Sequence, residues 1–166
     1  MAVTGKIDRK YMAHYIDAGS LCGGLTPKYE RLGKDLEEYN VELNPDTETS
    51  KNILGESTFK HNGYEVSSDA DPFYADTTSD LFTALQKIVD GRLKDDNLKT
   101  NAVEVHLWTE ATSGKYEAYQ QECYIVPTSY GGDTSGYQIP FTVNYVGERV
   151  KGKFDITSNS FTADSE

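Results

Sequence analysis

Apolar and polar residues alternate in two neighbouring runs near the end of the chain, Tyr137–Val146 and Arg149–Ile156. A period of two is typical of strands that bury one face. Gly147 and Glu148 separate the runs, which predicts a hairpin with a short turn at that point. The polar face of its second strand then carries three cations: Arg149, Lys151 and Lys153.

Four earlier stretches also favour strands. Residues 39–44 alternate, and a helix over residues 34–43 competes with this strand, although Asn40 and Val41 weaken it. Asn62–Gly63, between two short β-prone runs, predicts a tight hairpin turn. In residues 102–109 the apolar positions Val103, Val105 and Leu107 alternate with Glu104, His106 and Trp108. In residues 116–128 the apolar positions change parity near Cys123, which indicates either a bulge or a change of buried face.

One segment is polar throughout, and we expect it to form a long exposed loop. Its residues are Asn44, Pro45, Asp46, Thr47, Glu48, Thr49, Ser50, Lys51 and Asn52.

A single amphipathic helix is predicted over residues 78–92. Thr78 or Ser79 can cap it, Gly91 can end it, and one stripe is apolar: Leu81, Leu85, Ile88 and Val89. One helix among about seven or eight strands, without regular alternation, argues against a parallel α/β sheet. We therefore expect a mainly β fold, an antiparallel two-sheet β-sandwich or partial barrel with one flanking α-helix. No internal boundary divides residues 1–166, so we expect one domain, with an extended N-terminal segment and a loosely held tail over residues 158–166.

Charge narrows the class of partner. The 166-residue chain has 16 Lys and Arg against 27 Asp and Glu, a net charge of −11. Tight binding to duplex nucleic acid or to an anionic membrane surface is therefore not expected. We find no signal-peptide pattern and no apolar run long enough to span a bilayer, so we expect synthesis in a cytoplasm. That compartment favours free thiols at Cys22 and Cys123 over a disulfide.

No stretch of the sequence forms a recognisable catalytic or metal-binding motif. His14, His61 and His106 lie far apart, and the aspartate-rich residues 69–80 lack a calcium-loop pattern, because Phe73 and Tyr74 stand where an oxygen ligand and a glycine are needed. The glycine-rich residues 131–136 lack the lysine and helix start that cradle phosphate. We expect no enzyme activity, no cofactor and no metal site, although paired carboxylates of a hydrolase leave no sequence signature.

The order of these segments resembles the tail tube protein, or major tail protein, of bacteriophages that infect Gram-positive bacteria. Residues 30–44, 52–88 and 131–155 carry the resemblance, and it covers the chain from about Tyr29 to Asp155. Three features together carry the resemblance: the tripeptide Leu32-Gly33-Lys34 near its start, one helix after an aspartate-rich loop, and a hairpin near its end.

The resemblance implies a structural subunit of a virion tail tube, made in the host cytoplasm. Hexameric rings of such subunits stack into a hollow conduit, which holds a tape measure protein before DNA passes through, and tail-tip and terminator proteins complete the tail. By analogy of position, residues 44–52 would form the loop that bridges adjacent rings. We further predict that Arg149, Lys151 and Lys153 meet acidic surface on a neighbouring subunit; the alternative is a solvated strand face.

A rival interpretation is a non-catalytic carbohydrate-binding β-sandwich module. Tyrosine-rich strands and Trp108 would suit sugar stacking, although an aromatic side chain on a sheet more often packs against a neighbour.

Overall fold

One antiparallel sheet dominates the computed structural model, which describes residues 2–109 and 111–165. The strands are β1 (Met12–Asp17), β2 (Tyr29–Leu32), β3 (Val41–Glu42), β4 (Pro45–Lys51), β5 (Ser57–Tyr64), β6 (Ser67–Ala70), β7 (Lys99–His106), β8 (Lys115–Pro127), β9 (Gly131–Asp133), β10 (Gly136–Gln138), β11 (Phe141–Asp155) and β12 (Ser160–Ala163). The α-helix α1 is Asp80–Gly91, and short 3-10 turns cover Arg9–Tyr11, Leu21–Gly23 and Asp95–Leu98.

The large sheet has the order β2-β1-β7-β8-β11-β6-β3, and β12 pairs with the second half of β11. Two small sheets, β4-β5 and β9-β10, are hairpins. The large sheet curls into a partial barrel, and α1 packs on it. The prediction of a mainly β, antiparallel fold with one flanking helix is confirmed.

The large sheet buries one face near one end of its long strands and the opposite face near the other end. One face packs with α1 in what we call the helix-side core, whose sheet residues include Ile16, Ala102, Cys123, Ile125, Phe141 and Val143. The other face forms the aromatic core, made of Ala13, Tyr15, Val103, Val105, Ala118 and Phe154. The rings of Tyr15 and Phe154 lie 4.4 Å apart, and Tyr29 meets Phe154 edge to face at 5.7 Å. Thus the parity change along β8, from Ala118 to Cys123, is a change of buried face.

The hairpin predicted around Gly147 is wrong. Residues 141–155 form the single strand β11, and both of its halves pair with β8. The register moves from Val146 opposite Glu122 to Val150 opposite Gln120, so three residues of β11 face one of β8. Gly147, at φ +70°, begins this bulge. Because β8 is long enough to accompany the whole of β11, the chain bulges where we expected it to turn back.

The predictions for residues 44–64 are also corrected. Residues 45–51 form β4, paired with β5, and the turn between them spans Asn52–Glu56, not Asn62–Gly63. Asn62 is the extra residue at a register shift, since Asp46 faces Gly63 while Thr47 faces His61. The predicted strand over residues 39–44 is ordered as a strand only at Val41–Glu42.

The C-terminal segment is held more firmly than expected. Ser160–Ala163 pairs with Gly152–Asp155, and Phe161 packs against the aromatic core. Glu166, the last residue of the predicted tail, lies outside the described residues.

The helix follows its sequence pattern. The Ser79 hydroxyl accepts a hydrogen bond from the Phe82 amide at 3.1 Å, and Leu81, Leu85, Ile88 and Val89 are all buried. The helix extends through Gly91, and Arg92 takes the left-handed conformation that ends it. No helix in the described part of the chain is long and apolar enough to cross a membrane. Both cysteines are free thiols, Cys22 half-buried and Cys123 buried, as predicted.

Truncation of the helix stripe tests the helix-side core. Leu85 is fully buried, so Leu85→Ala removes packing and leaves a cavity, and we expect it to lower the free energy of unfolding by about 2–5 kcal/mol. Urea denaturation at dilute concentration measures this. The control Lys87→Ala, exposed on the same helix, should change stability by less than about 0.5 kcal/mol, and an equal effect of both would contradict the assignment.

Candidate assembly surfaces

The residues Pro45–Tyr64 form what we call the projecting hairpin. Among the residues that the structure describes, its two strands pair only with each other. Every residue of β4 is exposed, and in β5 only Gly63 is partly covered. The rings of His61 and Tyr64 pack at 4.6 Å, but Phe59 remains 65% exposed. A two-stranded hairpin without a core is at best marginally stable in water. Such an element gains stability when a partner covers it.

Asparagine side chains hold both ends of the projecting hairpin. At the base, the Asn44 side-chain amide donates to the Glu65 carbonyl at 2.9 Å and to the Ser67 hydroxyl at 3.2 Å. At the tip, the Asn52 side-chain oxygen accepts from the amides of Leu54 and Glu56 at 2.9 and 3.1 Å. Gly55, at φ +82°, completes the turn. These bonds present Ile53 and Leu54 outward, fully and 77% exposed.

The residues predicted as an inter-ring loop thus lie in the first half of this hairpin. Asn44 forms the base, residues 45–51 form β4, and Asn52 holds the tip. All nine are exposed. Their exposure agrees with the expectation, and their role in an interface stays a prediction.

The three predicted basic residues share one face of the sheet but differ in what they contact. Lys151 lies opposite Tyr119 and Lys153 opposite Glu117. Arg149 belongs to the bulge, where its guanidinium is 3.4 Å from a Glu104 carboxylate oxygen and 4.3 Å from the centre of the Tyr119 ring. Neither lysine forms an ion pair with any residue that the structure describes. Arg149 therefore already has an acidic partner in its own chain, whereas the lysines are available.

Sequence reasoning did not single out Glu104 as the partner of Arg149. Glu104 occupies a polar position of β7, and only the pairing of β7 with β8, and of β8 with β11, brings the two residues together. Forty-five positions separate them in sequence, so no local pattern could have joined them.

A cavity of about 290 Å³ opens beside the bulge, which we call the barrel mouth. His14, Tyr39, Glu104, Tyr119, Tyr145 and Arg149 line its inner side. Val41, Leu43 and Val66, which flank the base of the projecting hairpin, line its outer side. The hydroxyls of Tyr39 and Tyr145 lie 3.3 Å apart, and the ring of Tyr39 is 4.7 Å from that of His14.

The charged groups of the barrel mouth are already neutralised. A hydrogen bond from His106, 2.8 Å away, is the main cause that lowers the pKa of the Glu104 carboxyl, and the nearby Arg149 lowers it further. Burial lowers the pKa of His14 to about 4, so that its ring is neutral at pH 7. Burial also raises the pKa of both tyrosines, Tyr39 and Tyr145. No group of three or more potential ligands in residues 2–109 and 111–165 is placed to hold a metal ion. The mouth is thus a neutral, aromatic and aliphatic surface suited to binding an uncharged group.

No protein-family model and no curated protein matches this chain. Two solved structures show a distant likeness: a sheath/tube terminator of an extracellular contractile injection system, PVC, in its extended state, and the tube-terminating cap of the anti-feeding prophage, AFP. Each aligns at 10% identity with a TM-score of 0.49. The first alignment covers 90% of this chain and 99% of the other, and the second covers 91% and 93%. Similarity at this level does not assign a function to this chain.

The environment of His14 predicts a pH dependence of stability. The pKa of His14 is about 4 in the folded chain, against the ordinary histidine value of 6.5 in the unfolded chain. As the pH falls, His14 therefore binds a proton in the unfolded chain before it does so in the folded chain. The contribution of His14 to stability should therefore decrease as the pH falls below about 6.5 and stop changing below about 4. Between pH 7 and pH 5, we expect the wild-type chain to lose roughly 2 kcal/mol more than His14→Phe, measured by urea denaturation.

The exposed histidine of the projecting hairpin is the matched control. His61→Phe leaves the surroundings of His14 unchanged, because residue 61 lies in the projecting hairpin, so the pH dependence caused by His14 should remain. Identical slopes for the wild-type chain and His14→Phe would contradict the burial of a neutral His14.

Proposed function

We propose that this chain is a structural, non-enzymatic subunit of the tail tube of a bacteriophage or phage-like particle. Subunits would assemble into hexameric rings, and the rings would stack into a hollow conduit. The observation that carries the proposal is the projecting hairpin, because an exposed two-stranded hairpin with an apolar tip and no core of its own is suited to contact a neighbouring subunit. Residues 44–52, which by analogy of position would form the inter-ring loop of phage tail tube proteins, lie in the first half of this hairpin and at its base.

The edges of the large sheet support lateral contacts within a ring. The strands β2 and β3 end the sheet, and β12 adds a further edge beside β11. Edge strands carry unpaired backbone donors and acceptors, which pairing with a neighbouring subunit would satisfy. Lys151 and Lys153 would meet acidic surface of that neighbour, contributing specificity more than affinity.

The net charge suits a conduit for DNA. With a net charge of −11 per chain, a tube wall would repel phosphate, so that DNA could pass without binding tightly. In this proposal the partners are other copies of the chain, the tape measure protein inside the tube, and tail-tip and terminator proteins at its ends. The protein would reside in the virion after synthesis in the cytoplasm of a Gram-positive host, and it would need no cofactor.

The carbohydrate-binding alternative is less well supported. A sugar platform needs an open aromatic face, whereas the Trp108 ring is stacked on His106, with centroids 4.4 Å apart and planes 15° from parallel. This contact is the packing role expected of an aromatic side chain on a sheet.

Negative-stain electron microscopy of the purified wild-type chain, over a series of concentrations, tests the proposal. We expect hollow sixfold rings at low concentration and stacked tubes at high concentration, since self-association follows mass action. A chain that stays monomeric over the whole series, by microscopy and by sedimentation, would contradict the proposal.

Charge reversal tests the lateral contact. We expect Lys151→Glu together with Lys153→Glu to weaken ring formation by about tenfold or more in concentration, because like charges would face each other across the interface. Arg149 is left unchanged because it pairs with Glu104. The matched control, Lys87→Glu with Lys94→Glu, makes the same change in net charge at exposed positions elsewhere. Normal rings from the first variant would rule out this contact.

A further inference from the structure

The tip of the projecting hairpin and the barrel mouth expose complementary apolar surface on the same chain. At the tip, Ile53 is fully exposed and Leu54 is 77% exposed. On the outer side of the mouth, Leu43 is 53% exposed and lies beside half-buried Val41 and Val66. Each surface leaves aliphatic carbon in water, and contact between them would remove both from solvent.

We propose that the hairpin tip of one copy inserts Ile53 and Leu54 into the barrel mouth of a second copy. The inference rests on the proposed function, since it names the surface that receives the hairpin between stacked subunits.

A hairpin tip that enters the mouth must come from another copy of the chain. Leu43 and Val66 lie just before and just after the projecting hairpin, so the mouth is at the base of that hairpin. The seven residues of β4 separate base from tip by roughly 20 Å, at about 3.3 Å per residue. A hairpin of this length, held straight by its ladder, cannot return its tip to its own base.

Charge favours this occupant over a charged ligand. In the mouth, the carboxylate of Glu104 is paired with Arg149 and hydrogen-bonded to His106. The charges of Glu104 and Arg149 are therefore already balanced within the chain. Residues 51–56 at the tip of the hairpin are formally neutral, because Lys51 and Glu56 carry opposite charges. The cavity of about 290 Å³ is lined mainly by aliphatic and tyrosine side chains, with the Glu104–Arg149 pair among them, and it accommodates a pair of aliphatic side chains.

Both surfaces are already ordered before they would meet. The hydrogen bonds of Asn52 fix the tip, and the pairs Tyr39–Tyr145 and Glu104–Arg149 fix the walls of the mouth. Ordered surfaces lose less conformational entropy on binding.

The geometry also gives a direction of assembly. The two surfaces are different parts of one chain, so the contact is heterologous and leaves a free tip on one copy and a free mouth on the other. Contacts of this kind repeat from copy to copy, and they extend as an open stack unless the rotation between copies closes them into a ring. Stacking of successive layers is the expected product.

Two variants test the contact, one on each side. Ile53→Asp with Leu54→Asp changes the tip, and Leu43→Asp changes the mouth. Each would place a carboxylate in an apolar contact, so we expect the concentration for half-maximal stacking to rise on the order of a hundredfold. Light scattering and electron microscopy measure stacking, and urea denaturation of the monomer confirms folding. The control Leu25→Asp, at a 95% exposed position in another loop, should stack as the wild type does.

Mixing the two variants provides a sharper result. The tip variant keeps an intact mouth and the mouth variant keeps an intact tip. An equimolar mixture should therefore form particles of two layers and stop there, without growing into tubes. A mixture that associates no further than either variant alone would overturn the proposal.

The outcomes separate this inference from the proposed function. Wild-type-like tubes from both variants would overturn the inference and leave the proposed function standing. A wild-type chain that never assembles would overturn both. Single rings from each variant, with stacking restored to two layers in the mixture, would establish the contact.

Discussion

The pairing of β8 with β11 is the interaction on which the rest of the structure depends. These two longest strands lie side by side at the centre of the large sheet, and each buries opposite faces at its two ends. In β8 the buried residues change from Ala118 to Cys123, and in β11 they change from Val143 to Phe154. Because both strands change face together, one sheet serves two cores, and the bulge in β11 lies where the change occurs.

The barrel mouth is a direct consequence of that change of face. Beyond the end of the helix-side core, the same face of the sheet is no longer covered by α1, and polar and aromatic residues take the inward positions. Glu104, Tyr119 and Arg149 meet there because the bulge directs Arg149 across β8 toward β7. The segment that leads into the projecting hairpin closes the outer side. The bulge in β11 thus lies beside the barrel mouth, and the mouth lies at the base of the projecting hairpin.

The projecting hairpin and the mouth differ in how they are stabilised. The mouth is supported by two cores, whereas the hairpin is stabilised by its ladder, by the side-chain bonds of Asn44 and Asn52 and by the contact of His61 with Tyr64. Stability is therefore unequal along the chain, and the least protected backbone is the part expected to find protection in an assembly.

The sequence by itself determined the elements whose signals are local: the capped helix, the alternation of β7, and the parity change of β8, since each depends on residues a few positions apart. It also determined the exposure of residues 44–52 and the shared face of Lys151 and Lys153. Only the tertiary structure decided that Gly147 begins a bulge and that Asn52, not Asn62, holds the turn, because a strand's partner chooses between continuing and turning back. The same holds for the pairing of Arg149 with Glu104, which exists only because β8 lies between their strands.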